Sequence, residues 1–174
     1  MSLEIIIDGY NLINAWHSLK LKFKKSPELA REELIEILVN YRKIKKHKIT
    51  IVFDAYNIYN LLPSKFSSRG INIIFTPTGV TADDFIKEKL KSNGEKYIVV
   101  SSDNEIKNCA NLNHATPINS DDFISKLEFA LYFNTKGVID DEENFDKRLD
   151  TKKKGNPKRL PKKLRRIKHK IKKL

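Results

Sequence analysis

The fold is decided by a short stretch near the start of the chain, Ile5-Ile6-Ile7-Asp8-Gly9-Tyr10-Asn11. An unbroken apolar run followed at once by turn residues predicts a strand that is buried on both faces, here over Leu3–Ile7. Runs of the same character are Ile49–Phe53, Ile71–Phe75 and Tyr97–Val100, and Ala115–Ile118 would add a short fifth strand. A parallel sheet that is covered by helices requires strands of this kind.

Segments with helical periodicity separate these strands. Ser26-Pro27 predicts the start of one helix, and Thr81-Ala82-Asp83-Asp84 has the pattern of a capping box at the start of another. A further helix is expected from Ser120 to about Phe133. This strand–helix alternation predicts a three-layer α/β fold with a mainly parallel sheet of four or five strands.

Charge is distributed unevenly along the 174 residues. The net charge is +12, but residues 151–174 contain 13 basic and no acidic residues, so the rest of the chain is close to neutral. We predict a domain over 1–135, a polar linker over 136–157 and a basic amphipathic helix over 158–174.

The single cysteine excludes an intramolecular disulfide, and no apolar run is long enough to span a membrane. A cytoplasmic protein is therefore expected.

Single carboxylates follow the predicted strands. Asp8, Asp54 and Asp103 each come after a strand, and Asp83 begins the helix that follows another. Because the carboxyl ends of parallel strands meet at one edge of a sheet, we expect these side chains to lie close together. Their mutual repulsion favours a bound divalent cation, Mg²⁺ or Mn²⁺, whose chemistry suits hydrolysis of a phosphodiester by a metal-activated water.

The acidic residues have other possible interpretations. An aspartate after a strand often only caps the next helix, so a non-catalytic RNA- or ribosome-binding module with structural carboxylates is the alternative. A haloacid-dehalogenase-type phosphatase needs Asp-x-Asp after its first strand, but here Tyr10 stands where the second Asp would be. A receiver domain needs an acidic pair after that strand, and a dinucleotide-binding fold needs G-x-G-x-x-G. Asp8-Gly9-Tyr10-Asn11 matches neither pattern. The four histidines have no ligand spacing and do not support a metal-free ribonuclease mechanism.

Four motifs in order resemble those of the NYN nucleases, relatives of the PIN domains, and in particular their YacP-like branch. They are Asp8-Gly9-Tyr10-Asn11, Val52-Phe53-Asp54-Ala55, Thr81-Ala82-Asp83 and Ser101-Ser102-Asp103, and the likeness covers roughly residues 3–133. The resemblance implies a PIN-like domain and a metal-dependent endoribonuclease. Asp8, Asp83 and Asp103 would bind the metal, and Asn11 would hold a carboxylate or the scissile phosphate. Asp54 would support them or cap a helix, and Asp84 is a weaker candidate.

RNA is the partner that this resemblance implies, as messenger or ribosomal RNA, because the branch includes a ribosome-associated messenger-RNA endonuclease. The basic C-terminal residues are the predicted RNA contacts: Lys152, Lys153, Lys154, Lys158, Arg159, Lys162, Lys163, Arg165, Arg166, Lys168 and Lys170. A basic amphipathic helix also suits an anionic membrane, but this one lacks Trp and Phe, so no membrane partner is expected. Lys20, Lys22, Lys24 and Lys25, in an expected loop, are an alternative contact for RNA.

Overall fold

The computed structural model describes residues 4–55, 64–135 and 169–174. Its strands are β1 (Glu4–Asp8), β2 (Lys48–Phe53), β3 (Ser64–Ser68), β4 (Ile71–Phe75), β5 (Tyr97–Val100) and β6 (Thr116–Ile118). Its helices are α1 (Gly9–Ala15), α2 (His17–Phe23), α3 (Pro27–Lys45), α4 (Ala82–Asn93), α5 (Asn104–Leu112) and α6 (Ser120–Thr135). A 3-10 turn, Gly94–Lys96, precedes β5, and residues 169–172 are helical.

The strands form one sheet in the order β3-β4-β2-β1-β5-β6, in which only the edge strand β3 runs antiparallel. The predicted α/β fold with a mainly parallel sheet is confirmed. The predicted number of strands was too small, because β3 was missed. Its sequence, Ser-Lys-Phe-Ser-Ser, has no apolar run, since an edge strand with little burial does not need one.

Two hydrophobic layers cover the sheet. The central strand β1 contributes to both, because successive side chains point to opposite faces. Ile5 and Ile7 join a core with α3 and α6, whereas Ile6 joins a second core with α4 and α5. The central strand is thereby held on both faces, and its end at Asp8 is fixed relative to every neighbouring element.

The predicted helix starts are confirmed. The Leu29 N–H donates to Ser26 Oγ at 3.3 Å at the start of α3, and the Asp84 N–H donates to Thr81 Oγ1 at 3.1 Å at the start of α4. The expected loop after the first motif is wrong for Lys20 and Lys22, which lie in α2, whereas Lys24 and Lys25 lie in the turn that follows this helix. The helices described in these ranges are too short or too polar to cross a membrane.

The C-terminal residues pack against the domain. Leu174 is buried in the core with α3 and α6, and its carbonyl accepts a hydrogen bond from the Tyr41 hydroxyl. The Lys173 carbonyl lies 3.0 Å from His47 Nε2. The predicted linker over 136–157, and the arm as far as residue 168, lie outside the described residues. The described end of that arm thus packs on the domain itself.

Candidate functional site

Four predicted carboxylates lie at the end of the sheet where the parallel strands finish. Asp8 is the last residue of β1, Asp54 directly follows β2, Asp103 lies three residues beyond β5, and Asp83 is in the first turn of α4. We call this group of four the acidic edge. The parallel pairing of β1 with β2 and β5 brings these positions to one side of the sheet.

Asp8 is the centre of the acidic edge. Its side chain is only 6% exposed, and its Oδ1 accepts a hydrogen bond from the Asn11 N–H at 3.0 Å, which caps α1. Burial, followed by the negative charges of Asp83, Asp54 and Asp103, raises the pKa of Asp8 from 3.8 to about 7 against the opposing effect of that hydrogen bond. The four carboxylates therefore interact through space, and the buried one has lost much of its tendency to ionise.

Close packing explains the two residues that follow Asp8. A Cβ atom at Gly9 would lie 2.2 Å from the Phe53 ring, so only glycine lets α1 start this close to the end of β2. The Tyr10 ring packs against Phe23 and Phe53, and its hydroxyl accepts a hydrogen bond from Arg31 at 2.8 Å. These contacts hold the turn that carries Asp8 and Asn11.

Asp54 connects two elements of the site. Its Oδ1 accepts a hydrogen bond from the Ala82 N–H at 2.6 Å, which joins the end of β2 to the start of α4. The next residue, Ala55, donates its N–H to Thr76 Oγ1 at 3.2 Å. Of the two roles predicted for Asp54, the structure thus describes contacts that suit the helix cap.

The two acidic residues in the first turn of α4 differ. Burial, and then the Asp103 carboxylate, raise the pKa of Asp83, with Lys87 acting in the opposite direction. Asp84 instead accepts a hydrogen bond from the Thr81 hydroxyl at 2.9 Å, at the residue that caps α4. Asp83 therefore belongs to the acidic edge, whereas Asp84 has a structural contact of its own.

Asp103 is positioned by the helix that follows it. Its Oδ1 accepts hydrogen bonds from the Glu105 N–H at 2.7 Å and the Ile106 N–H at 3.1 Å, so it caps α5. Its own N–H donates to Ser101 Oγ at 3.1 Å. These contacts fix the carboxylate rigidly.

Asn11 is oriented by two donors from the far side of the site. Its Oδ1 accepts hydrogen bonds from the Ser102 N–H at 2.9 Å and from Ser120 Oγ at 2.7 Å. Within the described ranges its Nδ2 has no hydrogen-bond partner, so the amide is held with a donor to spare. Ser120, fully buried, was not predicted as a site residue. The sequence around Ser120 indicated only the start of a helix. Ser120 is 109 residues away from Asn11 along the chain, so nothing connected the two.

The acidic edge offers free carboxylate oxygens of the kind that a divalent cation binds. Asp8, Asp54 and Asp103 use Oδ1 for their backbone contacts, and in the part of the chain that the structure describes their Oδ2 atoms make no hydrogen bond. In that same part, no three His, Cys, Asp or Glu side chains are grouped closely enough to hold a metal ion. The oxygen donors fit Mg²⁺ or Mn²⁺ held by one or two carboxylates with water completing the coordination. The predicted three-carboxylate metal site stays a prediction.

Most of the predicted RNA contacts fall at positions 152–168, outside the described residues. Lys170 is described, and its amine donates to the Glu95 carbonyl just before β5. That contact lies at the end of the sheet opposite to the acidic edge. Trp16 is partly buried against the core.

A mostly parallel sheet with clustered carboxylates at its carboxyl edge is consistent with the PIN-like class of α/β proteins. A family model for the YacP-like NYN domain matches residues 5–173, so the chain belongs to that family. The resemblance drawn from the four motifs is confirmed. Family membership indicates a nuclease-type function related to RNA.

Related proteins come from Bacillus subtilis. The chain is 34% identical over 84 residues to the "Uncharacterized protein YacP" of strain 168, and the matched part covers 48% of this chain and 49% of that relative, about half its length. A crystal structure of Rae1 (YacP) aligns with a TM-score of 0.63 and 23% identity, covering 86% of this chain and 87% of the other. The structure of its W164L mutant aligns with a TM-score of 0.61 and 21% identity, covering 98% and 91%. Both share the fold.

Proposed function

We propose that this protein is a metal-dependent endoribonuclease that hydrolyses phosphodiester bonds of RNA. The observation that carries the proposal is the buried Asp8, whose pKa is raised to about 7 by burial and by three further carboxylates. Keeping so many acidic groups together costs free energy unless a cation compensates them. Groups with strongly perturbed pKa values cluster at functional sites.

Asp8, Asp83 and Asp103 would hold the cation through their carboxylate oxygens. When bound, a divalent ion supplies positive charge for the phosphoryl oxygens and makes water easier to deprotonate. The backbone N–H groups that bind Asp8 and Asp103 fix the direction in which the carboxylates point. The chain itself therefore contributes a rigid set of oxygen atoms.

Asn11 is suited to bind the scissile phosphate. Its Oδ1 is held by Ser102 and Ser120, which leaves Nδ2 to donate to a phosphoryl oxygen. In the reaction a water oxygen forms a bond to phosphorus, the bond to the 3′ oxygen breaks, and that oxygen takes up a proton. The products carry a 5′-phosphate and a 3′-hydroxyl, and no covalent enzyme intermediate is needed.

We infer messenger RNA at the ribosome as the substrate. The support is the motif pattern of the YacP-like branch together with the basic C-terminal residues, which would bind phosphates of messenger or ribosomal RNA. Cleavage of the same messenger with and without purified ribosomes tests this step.

The proposal is tested by cleavage of a single-stranded RNA with and without Mg²⁺ or Mn²⁺. Asp83→Asn should lower the cleavage rate by on the order of 100-fold or more, because it removes a charge from the acidic edge. Asp84→Asn is the matched control, since it changes the neighbouring residue of the same helix turn, whose contact is with Thr81. Cleavage that needs no divalent ion, or an equal loss in both variants, would contradict the proposal.

A non-catalytic RNA- or ribosome-binding module is the second candidate. It is favoured by the hydrogen bonds of Asp8, Asp54 and Asp103 to backbone N–H groups, since caps alone would explain those carboxylates. RNA binding that persists while no condition yields cleavage would support it.

A further inference from the structure

A groove of about 650 Å³ lies beside the acidic edge. It runs between α5, the end of β6 and the first turns of α6, and its lining includes Lys107, Ile118, Asn119, Ser125, Lys126 and Ile171. We call it the α5–α6 groove. Its volume falls within the range of about 300–1,000 Å³ that is typical of ligand pockets.

Two lining residues of the α5–α6 groove are close to the candidate site along the chain. Lys107 is one helical turn beyond Asp103, and its N–H donates to the Asp103 carbonyl at 3.1 Å. On the other side, Asn119 directly precedes Ser120, the residue that binds Asn11. An RNA strand bound at the acidic edge therefore has the groove within reach.

The lining of the groove combines the features that a nucleotide needs. Lys107 and Lys126 bring positive charge to the groove, and Ile118 and Ile171 provide apolar surface. Ammonium groups attract phosphates, whereas a nucleobase can cover apolar side chains.

The polar side chains in the groove are ordered. Asn119 Oδ1 accepts a hydrogen bond from Lys107 Nζ at 3.2 Å, and Asn119 Nδ2 donates to the Asp122 carboxylate at 3.5 Å. Asp122 is the one acidic residue among the lining residues, and this contact ties it to the amide. Amide and carboxylate groups of this kind can bind the 2′-hydroxyl of a ribose.

We propose that the α5–α6 groove binds the nucleotides of single-stranded RNA that flank the scissile phosphate. The inference rests on the proposed function in taking RNA as the ligand of this face. It places RNA contacts on the folded domain, in addition to those predicted for the basic C-terminal residues. The two lysines of the groove and its proximity to the acidic edge identify the occupant as RNA.

The test is the affinity of the full chain for a short fluorescent single-stranded RNA, measured by anisotropy in EDTA. We expect Lys107→Ala with Lys126→Ala to weaken binding roughly 10-fold and to lower the slope of log affinity against log salt by about 1.4, about 0.7 for each lysine. The matched control pair is Lys43→Ala with Lys91→Ala, which removes the same charge from exposed positions near the ends of α3 and α4. The control should bind within twofold of wild type; equal losses in both pairs would overturn the proposal.

A second measurement locates the contact. Photocross-linking of an RNA with 4-thiouridine at several positions, followed by mass spectrometry, should label peptides within residues 107–126. Labelling confined to residues 152–168 would overturn the groove as a binding site. Neither measurement depends on turnover. RNA binding through the groove without any cleavage would therefore contradict the proposed function but not this inference. RNA cleavage by a protein whose RNA affinity is unchanged in the groove variants would contradict this inference but not the proposed function.

Discussion

The two ends of the central strand β1 present opposite electrostatic environments. At its start, Glu4 forms ion pairs with Lys48 at 3.2 Å and Lys96 at 3.3 Å. Burial acts to raise the pKa of Glu4, but the hydrogen bonds from both lysines outweigh it and hold the pKa below 4.5. At the other end, Asp8 is buried beside other carboxylates and its pKa is raised to about 7. The same strand thus begins with a carboxylate that is paired with two lysines and ends with a buried carboxylate beside other carboxylates.

This contrast between Glu4 and Asp8 distinguishes an acidic residue that stabilises the fold from one that is suited to bind a ligand. A charge with partners in the folded protein adds stability, whereas a buried charge among like charges subtracts it. Buried charges among like charges, with strongly perturbed pKa values, cluster at functional sites. Each of the following variants tests one side of this comparison.

The largest effect on stability is expected for Asp8→Asn. Folding raises the pKa of Asp8 from 3.8 to about 7, so the folded state holds this proton more tightly than the unfolded state does. The resulting stabilisation is complete below pH 3.8 and is lost as the pH rises to 7. At pH 8 without metal, the variant should be more stable than wild type by up to about 4 kcal/mol, falling to about 2 kcal/mol at pH 5.

Urea unfolding of both proteins in EDTA at these two pH values measures the difference. Asparagine is as good a helix cap as aspartate, so the start of α1 is preserved. A variant that is less stable than wild type at pH 8 would show that Asp8 is a stabilising residue.

Gly9→Ala tests the close approach of α1 to β2. A Cβ at this position would lie 2.2 Å from the Phe53 ring, which stacks on Phe75 at a centroid distance of 5.5 Å and cannot move freely. We expect a loss of about 1–3 kcal/mol in the free energy of unfolding. Thermal unfolding with Phe53→Leu as a second background provides the control, because a smaller ring-free side chain should reduce the cost. An unchanged cost in that background would place the clash elsewhere.

Ser120→Ala tests the orientation of Asn11. Loss of the hydroxyl donor at 2.7 Å should let the amide rotate, and we expect about a 10-fold lower cleavage rate with little change in RNA affinity. A positioning role requires that Ser120→Ala has no further effect once Asn11→Ala is present. Additive losses in the double variant, measured under single-turnover conditions, would contradict it.

Glu4→Gln should have the smallest effect. Its carboxylate stabilises the folded state above pH 4.5, and this contribution is lost as the pH falls through its lowered folded pKa. Because ion pairs of this exposure contribute little, the expected loss at pH 7 is about 1 kcal/mol or less. Nuclease activity should not change, and a lower rate would mean that the two ends of β1 are coupled.

Much of the sheet could be predicted from sequence because buried parallel strands are continuous apolar runs. Ile71–Phe75 and Tyr97–Val100 were predicted with the bounds that the structure gives. The strand β3 was missed because an exposed edge strand such as Ser64–Ser68 needs no such run. Helix α1 was missed because Gly9 and Asn11 are also turn residues, and its close packing on Phe53 depends on a residue far along the chain.

The candidate site could be predicted only in part. Strand-end carboxylates such as Asp8 can be identified because every parallel strand delivers its end to the same edge. Ser120 could not be identified, since its contact with Asn11 depends on how far α6 is from α1 in space. The same holds for the α5–α6 groove, whose two lysines come from helices that the sequence does not relate.

The most direct test of the acidic edge is a titration with Mn²⁺ followed by electron paramagnetic resonance, comparing wild type with Asp8→Asn at pH 6 and pH 8. We expect wild type to bind Mn²⁺ more tightly at pH 8, because protons compete for a carboxylate with a pKa of about 7. Asp8→Asn should bind weakly at both values. Equal Mn²⁺ affinity in the two proteins, without dependence on pH, would contradict the account.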